Sequence, residues 1–206
     1  MQAEPFLCYT DRQMRAKGLR GMKIKKEALL PSGETVVLRS LAAADAQAAI
    51  ALCRKTAGET MNMMFYPDEW TVTLERETEI ITGAQNDPKA LMLGAFVDRR
   101  LVGLCSLRGV HPADRARHRA VFGISILRTF WGRGIGTAMM QTVIDAAKTT
   151  ALEQIELDVL STNESAIRLY RRFGFEEFGR RPRMMKYRDG KYADGVLMVL
   201  DLRKRQ

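Results

Sequence analysis

Residues 124–137 read ISILRTFWGRGIGT. An apolar run closes at Leu127, glycines follow at positions 132, 134 and 136, and Ile135, Met139, Val143 and Ala146 then recur at helical spacing. The order is strand, glycine turn, helix. Glycine lets the backbone turn sharply and approach a ligand closely, and the first-turn N–H groups of a helix have no carbonyl partner within it. Such a turn is an anion site, to which Arg133 adds a cation. A dinucleotide fingerprint would need GxGxxG after a first strand and an acidic residue about 20 positions later; a P-loop would need GK followed by Ser or Thr. This turn has neither.

Upstream, Ala90–Val97, Leu101–Arg108 and Arg119–Leu127 read as an antiparallel meander, the first two joined by Asp98-Arg99-Arg100. Before it, the turn Ser32-Gly33 leads into a short strand, Glu34–Arg39, and an alanine-rich helix, Ala43–Ala57. Asp45 near its start suits the helix dipole, and Gly58 is read as its stop. Glu59–Trp70 then reads as a loop around Pro67, and Thr71–Gly83 as a second helix that breaks at Asn86-Asp87-Pro88. Met1–Ser32 has weak periodicity and a basic run of Arg12, Arg15, Lys17, Arg20, Lys23, Lys25 and Lys26. With no apolar stripe beside the charge it is read as a solvated extension, so residues 1–33 are set apart from a domain over 34–206.

Downstream come a helix, Ile135–Thr150, a strand, Ile155–Leu160, and a helix, Glu164–Phe173, capped by Asn163 at its start and Gly174 at its end. Ala166, Ile167, Tyr170 and Phe173 share one side of it, so the bottom-up reading of Tyr170 is an amphipathic core residue. Two long runs, Glu176–Tyr187 and Tyr192–Leu202, flank Asp189-Gly190; the second is read as an edge strand, compatible with a monomer or with a homodimer paired along it. Strands of both styles with helices packed on them predict one mixed sheet in an α+β domain.

Composition bounds the function. The 206 residues are 46% hydrophobic and 28% charged, as expected of one globular domain. A formal net charge of +9 calls for an anionic partner: nucleic acid, membrane or polyphosphate. No apolar stretch suggests a transmembrane helix or secretory signal, so a cytoplasmic protein is expected. Cys8, Cys53 and Cys105 fit neither a disulfide framework nor a CxxC metal site, and no metal is expected. Only two tryptophans argue against stacking platforms for single-stranded nucleic acid.

The pairing of FWGRGIGTAMM (130–140) with NESAIRLYRRFGFEEFG (163–179), followed by YRDGKYADGVLM (187–198), resembles the GCN5-related N-acetyltransferases, the GNAT superfamily, over residues 34–202. The resemblance implies a sheet splayed between the strand ending near Leu127 and the strand ending near Leu160, with acetyl-CoA in the gap. The pyrophosphate would lie on the N–H groups of Arg133, Gly134, Ile135, Gly136 and Thr137. Pantetheine would pair with the strand edge at Ile126 and Leu127, as a peptide adds to a sheet. Asn163 matches a cofactor-contacting position, and Tyr170 matches the tyrosine beside the thioester sulfur.

The reaction so implied is direct attack of a neutral amine on the thioester, with the developing oxyanion held by a backbone N–H near Ile126 and the departing thiolate protonated by Tyr170. Amines have pKa values near 10, so a base or a pKa-lowering pocket is needed. Many relatives carry a glutamate on the strand HRAVFGISI; Val121 stands at the aligned position. Glu59, Asp68 and Glu69 are then the candidates to orient the amine, each also readable as an ordinary surface carboxylate, and His111 and His118 read as loop residues. Trp131 stands where many members have Arg or Gln. The expected acceptor is a small-molecule amine or a peptide N-terminus, near the Met- and aromatic-rich stretch Met61–Trp70, and the basic hairpin Arg180–Lys191 disfavours a polycation. The alternative is a catalytically weak protein of this fold that binds RNA or the ribosome through its basic surface, with steep salt dependence.

Overall fold

Leu91–Val97 is buried along its whole length, as a strand covered on both faces must be, and it forms β3 at the heart of the computed structural model, which describes residues 21–204. Around it lie β1 (Lys25–Leu29), β2 (Thr35–Ser40), α1 (Ala46–Glu59), α2 (Leu74–Asn86), β4 (Arg100–Gly109) and β5 (Arg119–Ile126). The C-terminal half adds α3 (Ile135–Lys148), β6 (Gln154–Leu160), α4 (Glu164–Arg172), β7 (Glu176–Lys186) and β8 (Tyr192–Asp201). The eight strands make one sheet in the order β1-β2-β3-β4-β5-β6-β8-β7. All neighbours are antiparallel except β5 and β6. The core gathers Leu38, Leu93, Leu107, Met139, Ile144, Ile155 and Met198, each essentially inaccessible to solvent.

The β5–β6 junction positions the site. These parallel strands pair only at Arg119↔Gln154, Ala120↔Ile155 and Val121↔Glu156. Beyond that, β5 stays on β4 as far as Gly103↔Ile126, and β6 stays on β8 as far as Leu160↔Gly195. Each half of the sheet keeps its own ladder while the two part, leaving the splay expected between these strands. Its closed end is tied by the Arg119–Glu156 ion pair and by the His118 carbonyl, which accepts from the N–H groups of Glu153 (2.8 Å) and Gln154 (3.2 Å).

Several local expectations are corrected. The sheet starts at Lys25, inside the segment read as a solvated extension: β1 pairs with β2 from Lys25↔Arg39 to Leu29↔Thr35, and Leu30 is buried. Its exposed Lys25, Lys26 and Glu27 hide the strand from an apolar-pattern reading. The basic positions 12–20 and Cys8 lie outside the described residues. β8 is an interior strand between β6 and β7, so the edges are β1 and β7 rather than Tyr192–Leu202. Gly58 does not stop α1, which runs to Glu59 before Thr60 turns extended. The α2 start shifts to Leu74 because the Thr73 side chain accepts the Arg76 N–H at 3.2 Å, an N-cap within the stretch read as helix. A 3₁₀ turn, Pro67–Glu69, interrupts the expected loop.

Candidate active site

The parted strands enclose a cleft of about 1210 Å³ that runs from the α3 N-terminus past Tyr170 to the α1–α2 connection. At one mouth the glycine turn does what its residues suggest. Gly134 has φ 91°, a left-handed conformation that side chains resist, and a Cβ there would stand 2.8 Å from Pro31 Cδ. The first helical bond runs from the Ala138 N–H to the Gly134 carbonyl (3.0 Å), which leaves Ile135, Gly136 and Thr137 in the first turn with N–H groups ahead of the ladder. All three line the cleft.

The cation at this mouth is not the expected one. Arg133 turns its guanidinium to Glu34 (3.1 Å) and over the Phe130 ring (4.8 Å), and it does not line the cleft. Instead Arg172, in the last turn of α4, donates to Thr137 Oγ1 at 2.8 Å and lines the cleft with Arg168, one turn earlier. The tertiary contact joins residues 35 apart in sequence. The helical spacing of 168 and 172 beside the buried Ile167 and Tyr170 was the one available hint.

Midway along, the expected strand edge is present at Ile126 but not at Leu127. The Leu127 N–H is committed to the Val102 carbonyl (2.9 Å) and its side chain is buried. Alternation in an antiparallel ladder then turns the N–H and carbonyl of Ile126 away from β4, toward the gap. There the Ile126 carbonyl accepts the Trp131 indole N–H at 2.7 Å. Asn163 lines the cleft while capping α4, its Oδ1 accepting from the Ala166 N–H (3.4 Å) and the Ser165 hydroxyl (3.2 Å). Tyr170 is buried between Phe122 and Phe175, and burial pushes its phenol well above the ordinary value, so it keeps its proton at neutral pH. Burial also pushes the Cys53 thiol up to about 12 and the Cys105 thiol up, which keeps both from acting as thiolate nucleophiles.

The carboxylates singled out from sequence are elsewhere. Glu59 accepts the Arg128 backbone N–H at 2.7 Å. Asp68 is bonded to Arg188 (2.6 Å), whose guanidinium holds its carboxyl below the usual range, and Glu69 caps the 3₁₀ turn by accepting the Tyr66 N–H (2.8 Å). None of the three lines the cleft, and neither does His111, whose Nδ1 accepts the Ala113 N–H at 3.1 Å, or His118. The end of the cleft away from α3 is walled by Cys53, Thr56, Met63, Phe65, Trp70, Met184 and Met185, which puts the Met- and aromatic-rich stretch on the cleft. Arg188 and Tyr66 lie behind this wall and do not line the cleft: the Arg188 backbone N–H donates to the Tyr66 hydroxyl (3.0 Å) and its guanidinium lies 4.0 Å from the centre of the Tyr66 ring. Among the described residues no His, Cys, Asp or Glu cluster forms a metal site, and no helix is long and apolar enough to cross a membrane.

The cleft thus brings together a helix N-terminus, a strand edge turned into a splayed gap and a protonated tyrosine at its wall. The chain belongs to the GNAT acetyltransferase family, whose model matches residues 43–175. It is 31% identical over 113 residues, 54% of this chain and 68% of the relative, to the L-amino acid N-acetyltransferase AaaT of Escherichia coli. The fold is that of the GNAT-family acetyltransferase from Streptococcus pneumoniae (TM-score 0.77, 23% identity, 81% of this chain and 98% of that one). It is also that of the GNAT phosphinothricin acetyltransferase of Sinorhizobium meliloti, solved in complex with acetyl-CoA (TM-score 0.69, 19% identity, 81% and 88%).

Proposed function

We propose that this protein transfers the acetyl group of acetyl-CoA to a primary amine of a small molecule or a protein N-terminus. The observation that carries the reading is the Ile126 edge, which faces a gap with phosphate-binding groups at one end and Tyr170 at its wall. Acetyl-CoA fits these residues: the N–H groups of Ile135, Gly136 and Thr137 with Arg172 suit a pyrophosphate, Ile126 turns its N–H into the gap while its carbonyl is held by the Trp131 indole, and Asn163 lines the same cleft. The thioester supplies an activated acetyl carbon. The protein's part is to orient it, to meet the charge developing on its oxygen with the Ile126 N–H, and to give the leaving sulfur the Tyr170 proton. Relatives named for L-amino acids and for ribosomal N-acetylation support an amine of either kind. Of the six cations in the basic hairpin, Arg180 pairs with Glu177, Arg181 with Asp158, Arg188 with Asp68 and Lys191 with Asp189, while Arg183 and Lys186 lie over the Tyr192 ring, so most of its charge is already matched by carboxylates rather than offered to RNA. Thiol release from acetyl-CoA against a panel of small amines and N-terminal peptides tests the proposal: amine-dependent release supports it, and silence from a protein shown to bind acetyl-CoA counts against it.

A further inference from the structure

The Ile126 carbonyl lies where the strand edge meets the glycine turn, and a side chain already holds it. Leu127 and Val102 form a hydrogen-bonded pair, so Ile126, opposite Gly103, and Ile124, opposite Cys105, both turn their N–H and carbonyl groups from β4 into the gap, and both line the cleft. Trp131 reaches back and donates its indole N–H to the Ile126 carbonyl at 2.7 Å. An amide added to this edge would put its nitrogen about 2.9 Å from the same oxygen. The indole nitrogen therefore stands where the next rung of the ladder belongs.

The local structure holds the backbone of Trp131 and leaves its side chain room to turn. The Trp131 N–H is bonded to the Arg128 carbonyl (3.1 Å), closing a 3₁₀ turn over Arg128–Phe130, and Phe130 packs against the core beneath the Arg133 guanidinium. Gly132, the next residue, has φ 74°, and a Cβ there would meet nothing within 4 Å. Trp131 is 46% exposed, whereas the other tryptophan, Trp70, is buried. An indole has a single donor, so the bond to Ile126 is all the hydrogen bonding its ring can offer, and nothing else polar resists its rotation.

Resting on the acetyl-transfer reading above, we infer that Trp131 is a coenzyme-binding residue that works by exchange: its indole holds the Ile126 carbonyl until an amide N–H of the pantetheine arm takes its place. One hydrogen bond is given up, one is formed, and the indole N–H passes to solvent. Displacing the indole offsets part of the energy of pairing the arm, so Trp131 loosens the coenzyme and speeds release of the thiol product as it returns to Ile126. The Ile126 N–H and the Ile124 groups stay open to the arm throughout. A carbonyl oxygen can accept twice, so the competing outcome is that Ile126 keeps the indole and takes the arm as well.

The test reads tryptophan emission and its quenching by acrylamide, with affinities by calorimetry, and uses coenzyme A itself so that no chemistry follows binding. Phosphopantetheine, which has the arm without adenine, and ADP, which has adenine and pyrophosphate without the arm, separate the parts of the ligand. With coenzyme A and phosphopantetheine the wild-type emission should move to the red and its quenching rise about twofold; with ADP neither should change. Trp131→Phe, which keeps a ring and removes the donor, should bind coenzyme A about fivefold more tightly, with no gain for ADP, and its remaining Trp70 signal should not respond. Unchanged wild-type emission at saturation with coenzyme A, the same shift with ADP, or a Trp131→Phe protein that binds coenzyme A no more tightly overturns the exchange. If calorimetry finds no binding of coenzyme A to the wild-type protein, the acetyl-transfer reading itself fails, and the exchange with it.

Discussion

Phe122 of β5 meets Tyr170 of α4 edge to face, with ring centroids 6.4 Å apart and planes at 85°. The contact spans the two halves of the parted sheet and, with Phe175 on the other side at 5.8 Å, gives the phenol one position. Tyr170→Phe keeps the ring packing and removes only the proton donor. It should lower kcat by about 100-fold with little change in acetyl-CoA affinity, read by steady-state thiol release.

Arg172 bridges α4 to the first turn of α3 through Thr137 Oγ1, 2.8 Å away. Its charge adds to the N–H groups of that turn, whereas Arg133 is occupied by Glu34. Arg172→Ala should weaken acetyl-CoA binding about tenfold, some 1.4 kcal/mol, and flatten its salt dependence. Arg133→Ala should cost less; calorimetry at two ionic strengths compares them.

Glu77, buried in α2 with Oε1 unpaired, has its carboxyl raised by desolvation from 4.5 to about 7. Its folded form thus binds the proton more tightly than its unfolded form. The protonated side chain is accommodated at low pH, and the fold loses stability as pH rises through the interval between those two values, because ionising the buried group is resisted. Relative to wild type, Glu77→Gln should gain roughly 1.4 kcal/mol per pH unit across that window and level off above it. Denaturant titrations at pH 5, 6, 7 and 8 would show the trend.

Arg188 fastens the β7–β8 connection to the α1–α2 connection through Tyr66 and Asp68. The Arg188 and Asp68 side chains are solvent-exposed and Tyr66 is half-buried, so the ion pair should matter little to global stability. Its effect should fall on the acceptor: Arg188→Ala should raise the KM of a small amine several-fold, with unchanged acetyl-CoA affinity and unchanged Tm. Kinetics and thermal melts on one preparation check both halves of that expectation.

What the sequence made legible was what depends on local pattern. The glycine turn and α3 follow from three glycines ahead of an apolar helical repeat, and α4 from Asn163, Tyr170 and Gly174 in order. The meander β3-β4-β5 follows from short apolar runs and a charged turn. What stayed hidden depends on pairing across the chain. β1 shows mostly exposed side chains, because an edge strand can be held by backbone bonds alone. Whether β8 lies at the edge or inside is a matter of partners, which periodicity does not carry. Arg133 was assigned to the anion because it sits in the turn, but its partner Glu34 is 99 residues away. That Asp158 of β6 lines the cleft follows only from the three-pair register of β5 with β6.

Direct transfer within the β5–β6 gap is tested most directly by rapid-quench analysis of the protein saturated with acetyl-CoA and then mixed with an accepted amine. Free thiol and N-acetylated amine should appear together in equal amounts, with negligible thiol before the amine is added. Placing a like charge among the phosphate-binding groups with Thr137→Glu should abolish both products at the same acetyl-CoA concentration. A burst of thiol before amine addition, leaving an acetylated protein, would contradict direct attack; full activity in Thr137→Glu would contradict the placement of acetyl-CoA in this gap.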